Sequence, residues 1–183
     1  MSEDEFQLNF PADVRAPEVL LALRRFQNQS NDWYSGYFEL GKWRFGDAAW
    51  FGGDAEAAQQ FIVIGHGPDG SLYALWAYPG RTVENAPVVF LGSEGTDNCL
   101  LASSLRDFLA LLAIGADELG FAVSWGSVEQ ADPPAPRLNE FRSWLDQSLG
   151  IVAPEVPNES IASARAMHPD FEAWLNAWFA SRR

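Results

Sequence analysis

Gly65 to Gly70 read Gly-His-Gly-Pro-Asp-Gly and match the G-x-G-x-x-G spacing of a dinucleotide-binding loop. In such a loop the glycines open a helix whose N-terminus receives the pyrophosphate. Here Ser71 onward continues as the strand-like run Leu-Tyr-Ala-Leu-Trp, and Pro68-Asp69-Gly70 is turn chemistry, so the motif reads as a hairpin turn and no nucleotide cofactor is expected. The two histidines, His66 and His168, lie far apart without companions at metal-ligand spacing; each reads as a turn or surface residue, and no metal is expected. Gly92-Ser93-Glu94-Gly95 lacks the glycine two residues before the serine that a nucleophile elbow needs. Cys99 stands near acids, which oppose the thiolate, and reads as a small semi-buried residue. With 25 Asp and Glu, carboxylate pairs arise by chance, so none marks a glycosidase centre and no catalytic residue is nominated. Trp33, Tyr34, Tyr37, Trp43, Trp50 and Trp76 could form a stacking platform for sugar or base, but their strand-like positions favour core packing.

Composition bounds these readings. A chain of 183 residues with 48% hydrophobic residues supports one compact domain, or one with a small appendage. The formal charge of -13 and pI near 4.4 have the sign of a phosphate backbone, which argues against direct nucleic-acid binding. Residues 61 to 130 are the most acidic stretch, with eight acids against two bases, Arg81 and Arg106. A single cysteine makes no internal disulfide. The sequence from Met1 to Glu5 is acidic where a signal peptide would be basic, and no apolar run approaches the ~20 residues of a membrane span, so a cytoplasmic, non-membrane protein is expected.

The elements that would carry these residues follow from periodicity. Pro17, Val19, Leu20, Leu23 and Phe26 predict an amphipathic helix over residues 17 to 27 after an irregular start. Tyr37 to Leu40, Trp43 to Phe45 and Trp50-Phe51 read as short aromatic strands between turns. Residues 61 to 76 predict a β-hairpin turning at Gly67 to Gly70, and the apolar run from Pro87 to Gly92 another strand. Ser103 or Ser104 caps a helix carrying Leu105, Phe108, Leu109 and Leu112, ended by Gly115. A helical turn is expected around Ala116 to Leu119, and Phe121 to Trp125 reads as a buried strand or packed loop. Asp132 to Pro136 interrupts helix and sheet alike and marks a boundary. Beyond it, stripes at Leu138, Phe141, Leu145, Leu149 and at Phe171, Trp174, Leu175, Trp178, Phe179 predict two helices that must dock.

The consecutive block of hairpin FIVIGHGPDGSLYALW, strand PVVFLGSEG and helix SSLRDFLALLA resembles the SUKH superfamily, which includes fungal cell-wall-synthesis regulators of the SMI/KNR type and bacterial immunity proteins. The resemblance covers about residues 61 to 115, and its motifs are mostly glycines and hydrophobics that set a fold. It implies an α+β fold, a mostly antiparallel sheet flanked by helices, with a SUKH-like domain over residues 1 to 130; the helical C-terminal extension over 131 to 183, extra to the family pattern, is expected to pack on it because its apolar stripes need cover. The resemblance also implies protein binding without catalysis. The expected function is that of an intracellular immunity protein neutralising a basic toxin domain, such as a nuclease. A regulatory scaffold and, more distantly, a hydrolase with an unrecognised carboxylate site are the alternatives. The acidic loop residues Glu84, Glu94 and Asp97 are the expected partner-binding residues at one edge of the sheet.

Overall fold

The protein is described by a computed structural model over residues 1–78 and 81–182. Its helices are α1 (Glu3–Gln7), α2 (Glu18–Gln27), α3 (Ala55–Ala58), α4 (Leu105–Leu112), α5 (Leu119–Trp125), α6 (Leu138–Leu149), α7 (Pro157–Met167) and α8 (Asp170–Ala180). Its strands are β1 (Glu39–Leu40), β2 (Phe61–His66), β3 (Leu72–Trp76), β4 (Val88–Leu91) and β5 (Cys99–Ala102), which pair in sequence order as an antiparallel meander. The fold is therefore α+β. Among the described residues no helix is long and apolar enough to cross a membrane.

An antiparallel strand with one wet face alternates apolar and polar residues, but Phe61–Ile64, Leu72–Trp76 and Val88–Leu91 are apolar at nearly every position. Both faces of this sheet are covered. Ile62, Ile64, Tyr73, Leu75, Val88, Phe90 and Leu101 pack beneath α2, α4 and α6 through Leu23, Phe26, Phe108, Leu109, Phe141 and Leu145. The alternate residues Phe61, Val63, Leu72, Ala74, Trp76, Val89 and Leu91 meet Phe51, Phe171 and Leu175 on the other side. Full burial of one such side chain is worth roughly 1.5–3 kcal/mol, which makes the docking of α8 strongly favourable. Phe171 and Trp174 reach the sheet edge-on, 5.1 Å from Trp76 and 5.2 Å from Phe61 between ring centres. The Trp178 indole donates to Asp54 Oδ2 at 2.9 Å, and Asp54 caps α3 with its other oxygen. On the β5 side, α7 turns Ile161 to the first core and Ala164 to the second.

Several expectations need correction. Of the three aromatic segments, only Glu39–Leu40 is a strand; Trp43 and Arg44 are irregular, Phe45 and Trp50-Phe51 lie in turns, and the rings of Trp43, Phe45, Trp50 and Phe51 pack on the cores. Phe121 to Trp125 is neither strand nor loop but most of helix α5, and the helical turn expected at Ala116 to Leu119 begins only at Leu119. The irregular start holds α1, closed by a capping box between Ser2 and Glu5. The predicted hairpin, the Ser104-capped helix and the Gly150 terminus of α6 match the observed elements.

Candidate functional site

Because the sheet is a simple meander, the β2–β3 and β4–β5 turns emerge at the same end, and the β3–β4 connection at the opposite one. Glu94 and Asp97 lie in the β4–β5 turn, whereas Glu84 sits in a short 3-10 helix, Val83–Asn85, between β3 and β4. The expected trio is therefore split. Glu94 and Asp97 share one end of the sheet with Asp69, and Glu84 lies at the other.

The shared end is tied together by hydrogen bonds. Asp69 Oδ1 accepts from the Ser71 amide at 3.0 Å and the Ser71 hydroxyl at 2.6 Å, and Oδ2 accepts from Ser93 Oγ at 2.7 Å, joining the two turns. Burial pushes the Asp69 carboxyl up, but the Ser71 and Ser93 donors outweigh it and hold the group below the usual aspartate range. In the β4–β5 turn, Asn98 accepts from the Gly92 amide at 2.9 Å and donates to the Gly95 carbonyl at 2.8 Å.

Asp97 is the one non-glycine among the described residues with a left-handed backbone, at φ 58°. Its Oδ1 accepts from Ser124 Oγ at 3.2 Å and from the Trp125 indole N–H at 3.0 Å. Trp125 ends α5, where Gly126 adopts φ 76° and stops the helix. The Trp125 ring is 70% exposed, yet it lies 5.4 Å from the ring of Phe121, itself edge-on to Phe90. A large apolar side chain is thus held in one position while presented to solvent. Tyr37, at 39% exposure, stands toward the same end, its amide donating to the Asp117 carbonyl at 2.8 Å. These are the two aromatic members of the strongly exposed large hydrophobics among the described residues.

Acids surround this end: Asp69, Glu94, Asp97, Asp117 and Glu118. Desolvation raises the Glu118 carboxyl, and the charges of Asp69 and Asp117 push it further in the same direction. The Tyr73 hydroxyl, beneath them, accepts from the Gly120 amide at 3.1 Å, and burial raises its pKa. Such a surface offers charge and one rigid aromatic contact. Sequence reasoning reached Asp97 and Glu94 through loop chemistry but missed Trp125; the available signal was a tryptophan immediately followed by a glycine.

The remaining candidates fall elsewhere. The Gly65 to Gly70 motif spans the end of β2 and the β2–β3 turn, with the Gly67 amide donating to the Ser71 carbonyl, and no helix follows it. His66 lies at the end of β2, with Nε2 3.6 Å from Glu39 Oε1. His168, expected in a turn or at the surface, lies in the turn between α7 and α8 but is buried there, with Nδ1 3.4 Å from the Tyr78 hydroxyl. Desolvation lowers its pKa, and the nearby charge of Arg81 adds to this. The Cys99 thiol is pushed up to about 12 chiefly by burial, with Asp97 a lesser contributor and Arg165 acting in the opposite direction. Among the described residues no three His, Cys, Asp or Glu side chains converge to hold a metal ion. No family model, curated protein or solved structure matches the chain.

Proposed function

We propose that this chain is a non-catalytic protein-binding module, an intracellular immunity protein of the SUKH type, and that it neutralises a basic toxin domain by docking it on the Trp125 end of the sheet. The observation that carries this reading is the exposure of Trp125 at 70% together with its fixation by Asp97. Tryptophan is enriched among residues that dominate binding energy, and a side chain already held in one rotamer loses little entropy on docking. The acids around it select a basic partner and accelerate encounter, while the desolvated anchor sets dissociation. A nuclease domain, whose own surface must attract phosphate, has the required charge.

The test is the kinetics of binding to the product of the reading frame adjacent to this gene, measured over a range of salt. Trp125→Ala should mainly speed dissociation. Glu94→Lys with Asp97→Lys should slow association and flatten its salt dependence, and should also speed dissociation because the Trp125 indole loses its Asp97 acceptor, whereas Glu84→Lys, at the opposite end, should change none of these. Equal effects of Glu84→Lys and the double variant, or an acidic partner, would overturn this reading.

A further inference from the structure

A cavity of about 620 Å³ opens between the C-terminal end of α2, the segment from Asn28 to Tyr34, and β1. This is the size of a small-molecule site, for which about 300–1,000 Å³ is usual. Its lining is unlike the apolar cores beside it: Ser30, Asn31, Asp32 and Glu39 supply hydroxyl, carboxamide and carboxylate groups, with Trp33 as the aromatic surface and Tyr34 buried behind it. We propose that this cavity binds a neutral saccharide. The assignment is independent of the docking reading.

The first reason is unspent hydrogen-bonding capacity. Ser30 Oγ donates to Asp32 Oδ2 at 3.1 Å, which leaves Oδ1 open, and the Asn31 carboxamide and Trp33 indole N–H bond no other protein group among the described residues. Gln27 and Tyr34, deeper in, are already committed: the Tyr34 hydroxyl donates to Gln27 Oε1 at 3.0 Å. The free groups are thus mixed donors and acceptors at the rim, a match for a ligand dense in hydroxyls.

The second reason is charge. Two carboxylates alone would favour an ammonium ion, but each is already engaged by a protein group. Glu39 Oε1 lies 3.6 Å from His66 Nε2, and Asp32 Oδ2 accepts from the Ser30 hydroxyl. What remains beside them is polar and uncharged: the Ser30 hydroxyl, the Asn31 carboxamide and the Trp33 indole N–H. Trp33 completes the site. Its ring is set edge-to-face against Tyr37, 5.5 Å between centres at 83°, which orients it; its electron-rich faces attract the polarised C–H groups on one side of a pyranose.

The test follows the Trp33 indole and Asn31 carboxamide signals in NMR spectra of the whole protein. Glucose, N-acetylglucosamine, maltose and cellobiose are titrated in turn, with putrescine as the cationic control. At least one sugar should shift both signals saturably with a millimolar Kd, and putrescine should not. Asn31→Ala and Asp32→Ala, both at exposed positions, should weaken that sugar about tenfold while leaving the rest of the spectrum unchanged. Absence of saturable shifts with every sugar, undiminished binding in both variants, or stronger shifts with putrescine would overturn the assignment.

Discussion

The carboxamide of Gln27 brackets the backbone of Leu40: Nε2 donates to the Leu40 carbonyl at 3.0 Å, and Oε1 accepts from the Leu40 amide at 2.7 Å. Leu40 pairs with Gly65 across β1 and β2, while the next residue, Gly41, donates to the Ile64 carbonyl. By the alternation of an antiparallel ladder, the Leu40 groups point away from β2. One side chain from α2 therefore does what another strand would do at the open edge of the sheet. Gln27→Ala should cost about 1–3 kcal/mol, the penalty of leaving part-buried backbone groups unpaired, and should also promote edge-to-edge association. Denaturant unfolding measures the first effect and light scattering near the transition the second. An unchanged midpoint would show that water replaces the amide without loss.

Gly120 is where α5 meets the sheet. A Cβ at this position would overlap the Phe90 ring, so only glycine allows α5 to approach closely enough for the Gly120 amide to reach the Tyr73 hydroxyl. Gly120→Ala should destabilise by roughly 1–3 kcal/mol through overpacking. Because Phe90 supports Phe121, and Phe121 supports Trp125, the variant should also alter the indole N–H resonance of Trp125. Stability loss without that spectral change would separate the packing of α5 from the presentation of its last residue.

This packing explains why parts of the fold could be read along the chain and others could not. The hairpin from Phe61 to Trp76 is local: Asp69 and Ser71 build its turn, and two long apolar runs flank it. The Ser104 cap and the Leu105 to Leu112 stripe are local too. Phe121 to Trp125, by contrast, has the composition of a buried strand, and its helical form depends on a glycine fitting against a ring thirty residues earlier in sequence. β5 escaped notice because four apolar residues run almost directly into the serines that cap α4. The aromatic residues Phe45 and Trp50 were strand-like by type, yet their burial comes from plugging turns onto the cores, not from pairing. At the candidate site, loop acids could be found from turn chemistry, whereas the exposure of Trp125 depends on where α5 ends in space.

Cys99 supplies a probe of the β5 edge. Its thiol is buried, within 3.6 Å of the Gly120 carbonyl, and its pKa is pushed up to about 12 by that burial. Thiolate is the reactive form, so a disulfide reagent near neutral pH should label Cys99 only through opening of β5 and its neighbours. Labelling should accelerate sharply in denaturant and follow the unfolding curve. Rapid labelling of the native protein would mean that α7 leaves this edge easily.

The acids at the Trp125 end oppose one another, and the sign of their effect on stability separates their roles. Glu118 is raised by desolvation and by the charges of Asp69 and Asp117, so its ionised form is disfavoured in the fold. Folding binds its proton more tightly than the unfolded chain does, and the fold therefore loses stability as pH rises through the usual glutamate value toward the raised one. Asp69 is lowered because Ser71 and Ser93 donors outweigh its desolvation; its contribution is present above the usual aspartate pKa of about 3.9 and is lost as pH falls through the lowered folded value. Glu118→Gln should consequently stabilise the protein at neutral pH by a few tenths of a kcal/mol, after allowance for solvent screening, and the gain should shrink as acid protonates Glu118 in the parent. Asp69→Asn should destabilise at neutral pH, and that difference should narrow in strong acid. Thermal unfolding across this pH range measures both, and added salt should reduce the Glu118→Gln gain by screening its neighbours. If Glu118→Gln also slows association with the proposed basic partner, the same carboxylate opposes folding and promotes docking, the trade expected of a residue placed for binding. A stabilised variant with unchanged association would remove Glu118 from the proposed docking surface and leave the electrostatic contribution to Glu94 and Asp97.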